Sequence, residues 1–162
     1  MTQQPAAQLR VVIEPATFDR LQPRQPFGPI RLQYGALSDS AEWFPEETWT
    51  DFVVVLLSWW FEQFSALRSG DIDQARCRFM EGPFAFTVQV GESGMYVVRC
   101  VTGDGASERV IDEWTTSQSV FETSLTAAGI AADAECLRLG WGSPDVDAFR
   151  AALKTWTRAV EG

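Results

Sequence analysis

The chain has 162 residues, 46% of them hydrophobic and 12% aromatic, enough length and apolar content to fold around one core of its own. Its 22 acidic side chains against 13 basic ones give a net charge of −9, a field that repels nucleic-acid phosphates and attracts basic partners. Histidine is absent, which removes the usual general base near neutral pH and the commonest metal ligand.

The charge is unevenly placed. Residues 1–35 hold four arginines against Glu14 and Asp19, a balance of +2, which leaves −11 for residues 36–162. The start of the chain has no basic stretch followed by an apolar one, so it does not read as a signal peptide, and residues 1–8 are expected to be disordered. Leu9–Ile13 is a short β-branched run that predicts a strand. Pro15–Pro29 contains Pro23, Pro26 and Gly28 and reads as an irregular crossover. Ile30, Leu32 and Tyr34 then alternate with polar residues along a second strand.

Phe52–Phe61 is the most apolar stretch, broken only by Ser58. It is too short to cross a bilayer, which needs about 20 apolar residues. In helical register Trp49, Phe52, Val53, Leu56, Trp60, Phe64 and Leu67 share one face. Thr48 and Asp51 have capping-box spacing and Gly70 follows as a stop, so the pattern predicts an almost wholly buried helix over Thr48–Ser69.

From Ala75 to Trp114 the period changes to two. Turns at Glu81–Pro83, Gly91–Gly94 and Gly103–Gly105 separate four strands, the signature of an antiparallel meander. Two helices close the chain. Ser119 with Glu122 matches a capping box ahead of Phe121, Leu125, Ala128, Ala132, Cys136 and Leu139. Ser143-Pro144-Asp145 opens the second, whose stripe is Val146, Phe149, Leu153, Trp156 and Val160. The expected fold is a single α+β domain over residues 1–162. It has an antiparallel sheet of about six strands in ββ-α-ββββ-αα order, with the helices on one face.

Chemistry-bearing motifs are sparse. Cys77, Cys100 and Cys136 form no Cys-x-x-Cys pair, and an odd count among apolar neighbours points to buried reduced thiols in a cytoplasmic protein. A Cys77–Cys100 disulfide requires their strands to be neighbours. Asp71-Ile72-Asp73 has the spacing to hold a divalent cation, but it follows a helix stop and reads as a solvated turn. Lys154, the one lysine, falls on a helix surface. No phosphate-cradling glycine loop is present. No catalytic, cofactor-binding or metal-binding residue is therefore assigned. Glu46, Glu47 and Asp51, beside the aromatics, are the nearest approach to a carboxylate site.

Asp39, Glu42, Glu46, Glu47 and Asp51 surround Trp43 and Phe44 just ahead of the apolar helix. Aromatic anchors ringed by acids are what a protein-binding patch requires, the aromatics for buried area and the acids for steering. The same two aromatics could instead fold back as a hydrophobic staple on the helix. The stretch Gly35–Phe52, the Ser58-Trp59-Trp60 helix and Phe79-Met80-Glu81-Gly82-Pro83-Phe84 resemble small, acidic bacterial immunity proteins encoded beside polymorphic toxins. That resemblance implies an inhibitor that binds a cognate toxin domain.

The resulting expectation is an immunity or inhibitor protein without enzymatic activity. Its partner is a basic protein rather than nucleic acid or membrane, bound through Asp39, Glu42, Trp43, Phe44, Glu46, Glu47 and Asp51. The alternative is a small ligand-binding domain or carboxylate enzyme with Glu62 or Arg99 facing a pocket between sheet and helices. A third reading is a homodimer formed through an exposed aromatic strand.

Overall fold

The structure is a computed structural model in which residues 6–19, 25–36 and 41–162 are described. Four short strands precede the first helix: β1 (Gln8–Ile13), β2 (Phe27–Gly35), β3 (Glu42–Phe44) and β4 (Thr50–Phe52). Helix α1 (Val53–Ser69) leads to β5 (Ala75–Arg78), β6 (Phe84–Val90), β7 (Met95–Thr102) and β8 (Arg109–Ser117). Helices α2 (Gln118–Leu139) and α3 (Pro144–Glu161) complete the fold. The class is α+β as expected, with eight strands among the described residues in two antiparallel sheets where the sequence predicts one sheet of about six. The two additional strands, β3 and β4, have three residues each, too few to show an alternating pattern.

In the first sheet β2 is the shared partner. β1 pairs along it from Ile13 opposite Ile30 to Gln8 opposite Gly35. On its other side β3 takes Leu32–Tyr34 and β4 takes Phe27–Pro29. Gln8 is the first residue of β1, so the expected disorder of residues 1–8 does not hold at that residue; residues 1–5 lie outside the described part. The second sheet is the meander β5-β6-β7-β8.

Helix α1 begins five residues later than predicted. Thr50–Phe52 pairs with β2 instead of winding into the helix, and the Val53 amide donates to Pro26 O at 3.0 Å. The Thr48–Asp51 capping box is accordingly not formed, and Phe52 occupies the cap position without a side-chain bond. The C-terminal end is as expected: Gly70 sits in the left-handed region at φ 83°. Ser143 caps α3 by accepting from the Val146 amide, and Ser117, two residues earlier than the predicted Ser119, caps α2.

Nine of the 17 residues of α1 are buried, which accounts for its apolar composition on almost every side. Trp60 packs edge-on against Phe79 and Phe86, Phe61 lies against Phe149 and Trp156, and Phe64 meets Tyr96, Phe121 and Trp156. These rings join α1 to the second sheet, α2 and α3 in one cluster with Leu9, Ile30 and Leu32 of the first sheet. No helix of the described residues is long and apolar enough to cross a membrane.

The sheets are stitched by side chains. The free edge of β1 meets hydroxyls: Leu9 N–H donates to Thr116 Oγ1 (2.9 Å) and Val11 N–H to Ser124 Oγ (2.8 Å). Gln8 Oε1 in turn accepts from Thr116 Oγ1 and from the Ser117 amide. Covering an edge this way withholds its backbone groups from other chains.

Cys77 and Cys100 are buried, free thiols. Both lie opposite Phe86, one on each side of β6, so the central strand separates them by roughly 10 Å. That exceeds what a disulfide spans.

Where α2 crosses α1 a side chain would not fit. A Cβ on Gly129 would lie 2.6 Å from the Phe61 ring and 2.9 Å from Leu153. Gly129→Ala should therefore lower the unfolding free energy by about 1–2 kcal/mol in urea titration, overpacking outweighing the gain in helix propensity. An unchanged or raised midpoint would show that the helices separate freely.

Candidate partner-binding surface

The segment between β3 and β4 separates its residues by chemistry. Phe44 points inward and is 2% exposed, edge-on to Phe79 and Phe84 at 5.7 and 5.8 Å. Trp49 packs edge-on against Phe84 at 5.3 Å, and a Cβ on Gly82 would stand 3.0 Å from its ring. Between them Glu46, Glu47 and Thr48 are exposed.

Asp51 holds this turn. It is fully buried, and its carboxylate collects four donors. Oδ1 accepts from the Phe52 amide at 2.8 Å; Oδ2 accepts from the Met80 amide (3.0 Å), the Glu81 amide (3.2 Å) and the Trp49 indole (3.2 Å). A buried carboxylate needs such a set to replace its water. The bonds tie the 45–49 turn to the β5–β6 turn and set Glu46, Glu47 and Glu81 on exposed positions of adjoining loops.

Glu42 and Trp43 lie on opposite faces of β3. Glu42 is exposed and accepts from the Trp114 indole of β8 at 3.0 Å; Tyr34 stacks on that indole with ring centroids 4.9 Å apart. Asp112, two residues before Trp114 on the same face of β8, joins Glu42. Loss of solvent and then the Glu42 charge raise its carboxyl above the usual range. The same two acids, after burial itself, help push the Cys100 thiol up. Trp43 is half-buried on the other face, with the Arg31 guanidinium 5.2 Å from its ring centre, a cation–π contact. Arg31 also pairs with Glu14 at 3.3 Å.

The expected patch is thus divided. Glu42, Glu46 and Glu47 are exposed and Trp43 is partly so. Phe44 and Asp51 are interior, and neither is free to touch a partner; the charged neighbours of Phe44 in sequence suggest an anchor, yet the β2–β3 register turns it toward the core beside Leu32. Asp39 lies outside the described residues. Asp112 joins the surface through the approach of β8 to β3, and Glu81 through the Asp51 bonds to the β5–β6 turn, although nothing near them in sequence marks them; the Trp114 ring that bonds Glu42 is itself buried.

The residues of the alternative reading do not converge. Glu62 is exposed on α1, and Arg99 sits on the outward face of β7, bonded to Glu113 (2.8 Å) and Gln89 (2.8 Å). Asp71 and Asp73 are exposed in the turn after α1, where Asp71 accepts the Ser69 hydroxyl. Lys154 is exposed on α3. Among the described residues no group of three or more Cys, Asp or Glu side chains is placed to hold a metal ion.

The chain matches no family model, no curated protein and no solved structure.

Asp51→Ala would strip four donors of their shared acceptor. The unfolding free energy should fall by about 3–5 kcal/mol in chemical denaturation, the scale for losing the charged member of a buried bonded set. A loss below 1 kcal/mol would mean water replaces the carboxylate and the turn is not held by it.

Proposed function

We propose that this protein is an immunity-type inhibitor that binds a basic protein partner, a toxin domain, through the acidic surface around the 45–49 turn. One observation carries the reading: the turn presents Glu46 and Glu47 to solvent while Phe44 and Asp51 are buried and the half-buried Trp49 is packed against Phe84. A pre-ordered acidic surface meets a basic one without first paying for its own ordering. Glu42, Asp112 and Glu81 extend the negative surface, and the half-buried Trp43 offers apolar area on the neighbouring strand. The net charge of −9 acts at longer range, raising the encounter rate with a positively charged domain. Inhibition follows by occlusion of the partner's working surface; the inhibitor itself supplies no reacting group.

The partner to try first is the product of the adjacent open reading frame. Its toxicity on expression, relieved by co-expression of this chain, would establish the class. In the Glu46→Lys/Glu47→Lys double variant, stopped-flow association at low salt should slow by about tenfold or more, with a shallower salt dependence and an unchanged unfolding midpoint. Wild-type association kinetics in that variant would remove this surface from the interface.

A further inference from the structure

Helix α2 has a second apolar face that the fold does not use. Its core face is Phe121, Leu125, Ala128, Gly129, Ala132 and Cys136. Away from it runs Val120, Thr123, Ala127, Ile130, Ala134 and Leu137, spaced 3, 4, 3, 4 and 3 residues. Val120 is half-buried; the others are exposed, Ile130 at 56% and Leu137 at 64%. This is the spacing of a coiled-coil seam, sustained over about 26 Å of helix. None of the chain's 22 acids falls on it, so two copies of a strongly negative protein can meet here without opposing charges.

The residues that border the stripe on its two sides differ in charge. One side faces α3, where the Trp156 indole donates to Thr126 Oγ1 and Asp133 pairs with Arg150. The other faces β1, where Ser124 bonds Val11 and Arg10 lines a groove with Val120 and Thr123. By helical position Arg138 belongs to this second flank, five residues after Asp133. Arg138 pairs with Glu135 one turn back at 2.6 Å, as Asp133 does with Arg150, yet about a quarter of the Asp133 side chain and over half of Arg138 stay exposed (26% and 56%), open to a second partner. Five residues is the separation at which opposite charges on the two flanks meet across a parallel pair of helices. An antiparallel pair would set each flank against its own copy.

We infer that this face is a homodimer interface in which two α2 helices pack in parallel about a two-fold axis. Ala127 and Ala134 admit close approach, Ile130 and Leu137 form the apolar layers between them, and Asp133 of one copy meets Arg138 of the other. Grooves of about 480 and 400 Å³ flank the stripe and receive the partner's side chains. The interface lies on a different element from the acidic turn, so it stands whether or not the inhibitor reading does.

Sedimentation velocity over a micromolar concentration series tests the dimer. A concentration-dependent monomer–dimer equilibrium is expected, weakened at least about tenfold by Ile130→Glu, an exposed position whose change leaves the circular dichroism spectrum intact. Orientation is read from oxidation of Ala127→Cys, the three native cysteines being buried. Parallel packing puts position 127 opposite itself and gives a disulfide-linked dimer. A monomer at every concentration, or an Ile130→Glu protein that dimerises like the wild type, would overturn the interface. Failure of Ala127→Cys to cross-link alone, with ready cross-linking to an Ile130→Cys chain, would overturn the parallel arrangement.

Discussion

A helix that is apolar on nearly every side cannot rest on the surface of a small protein, and this constraint organises the whole chain. Trp60, Phe61 and Phe64 are fully buried and point in different directions from α1. Each ring therefore requires its own wall: the β5–β8 sheet for Trp60, α3 for Phe61, and the junction of β7, α2 and α3 for Phe64. Truncating any such ring to alanine carries a cost of about 3–5 kcal/mol, a large share of the stability of a domain this size. The first sheet closes the remaining side through Ile30 and Leu32. Glu62 and Trp59 mark the narrow strip where α1 reaches solvent.

The acidic turn follows from the same burial. A chain entering a buried helix must satisfy its backbone groups before leaving water. Here the entrance is made by a short strand, β4, and by the Asp51 carboxylate, which gathers amides from two segments. Phe44 and Trp49 then fill the space beside Phe79 and Phe84, leaving outward positions only to residues that water solvates well. The result is a rigid loop that is apolar beneath and anionic above, the property on which the proposed inhibitory role depends. A similar division of faces recurs on α2, where one stripe serves the core and another, charge-free, remains open.

Much of the architecture was legible in the residues. The period-two runs from Ala75 to Trp114, the turns between them, the closing helices and the buried character of α1 all follow from local patterns, because alternation and 3.6-residue spacing reflect which side chains must leave water. The glycine at position 70 and the serine at position 143 ended and began helices where their chemistry indicated. Clustered charge likewise marked Glu46 and Glu47 as surface residues.

What tertiary structure alone decided were matters of pairing across long separations. Thr50–Phe52 has apolar neighbours suited to a helix, yet backbone bonds to β2 make it a strand. Phe44 sits among charges, yet the register with Leu32 turns it inward; Asp51 looks like a steering acid, yet the amides of residues 80 and 81 draw it into the core. The Cys77–Cys100 pair fails because β6 runs between them, a fact of strand order invisible to spacing. Local sequence therefore determined which residues avoid water and with what period. Which segment supplies the shelter, and hence which acids are left on the surface, depends on contacts between residues tens of positions apart, whose closure only the complete fold specifies.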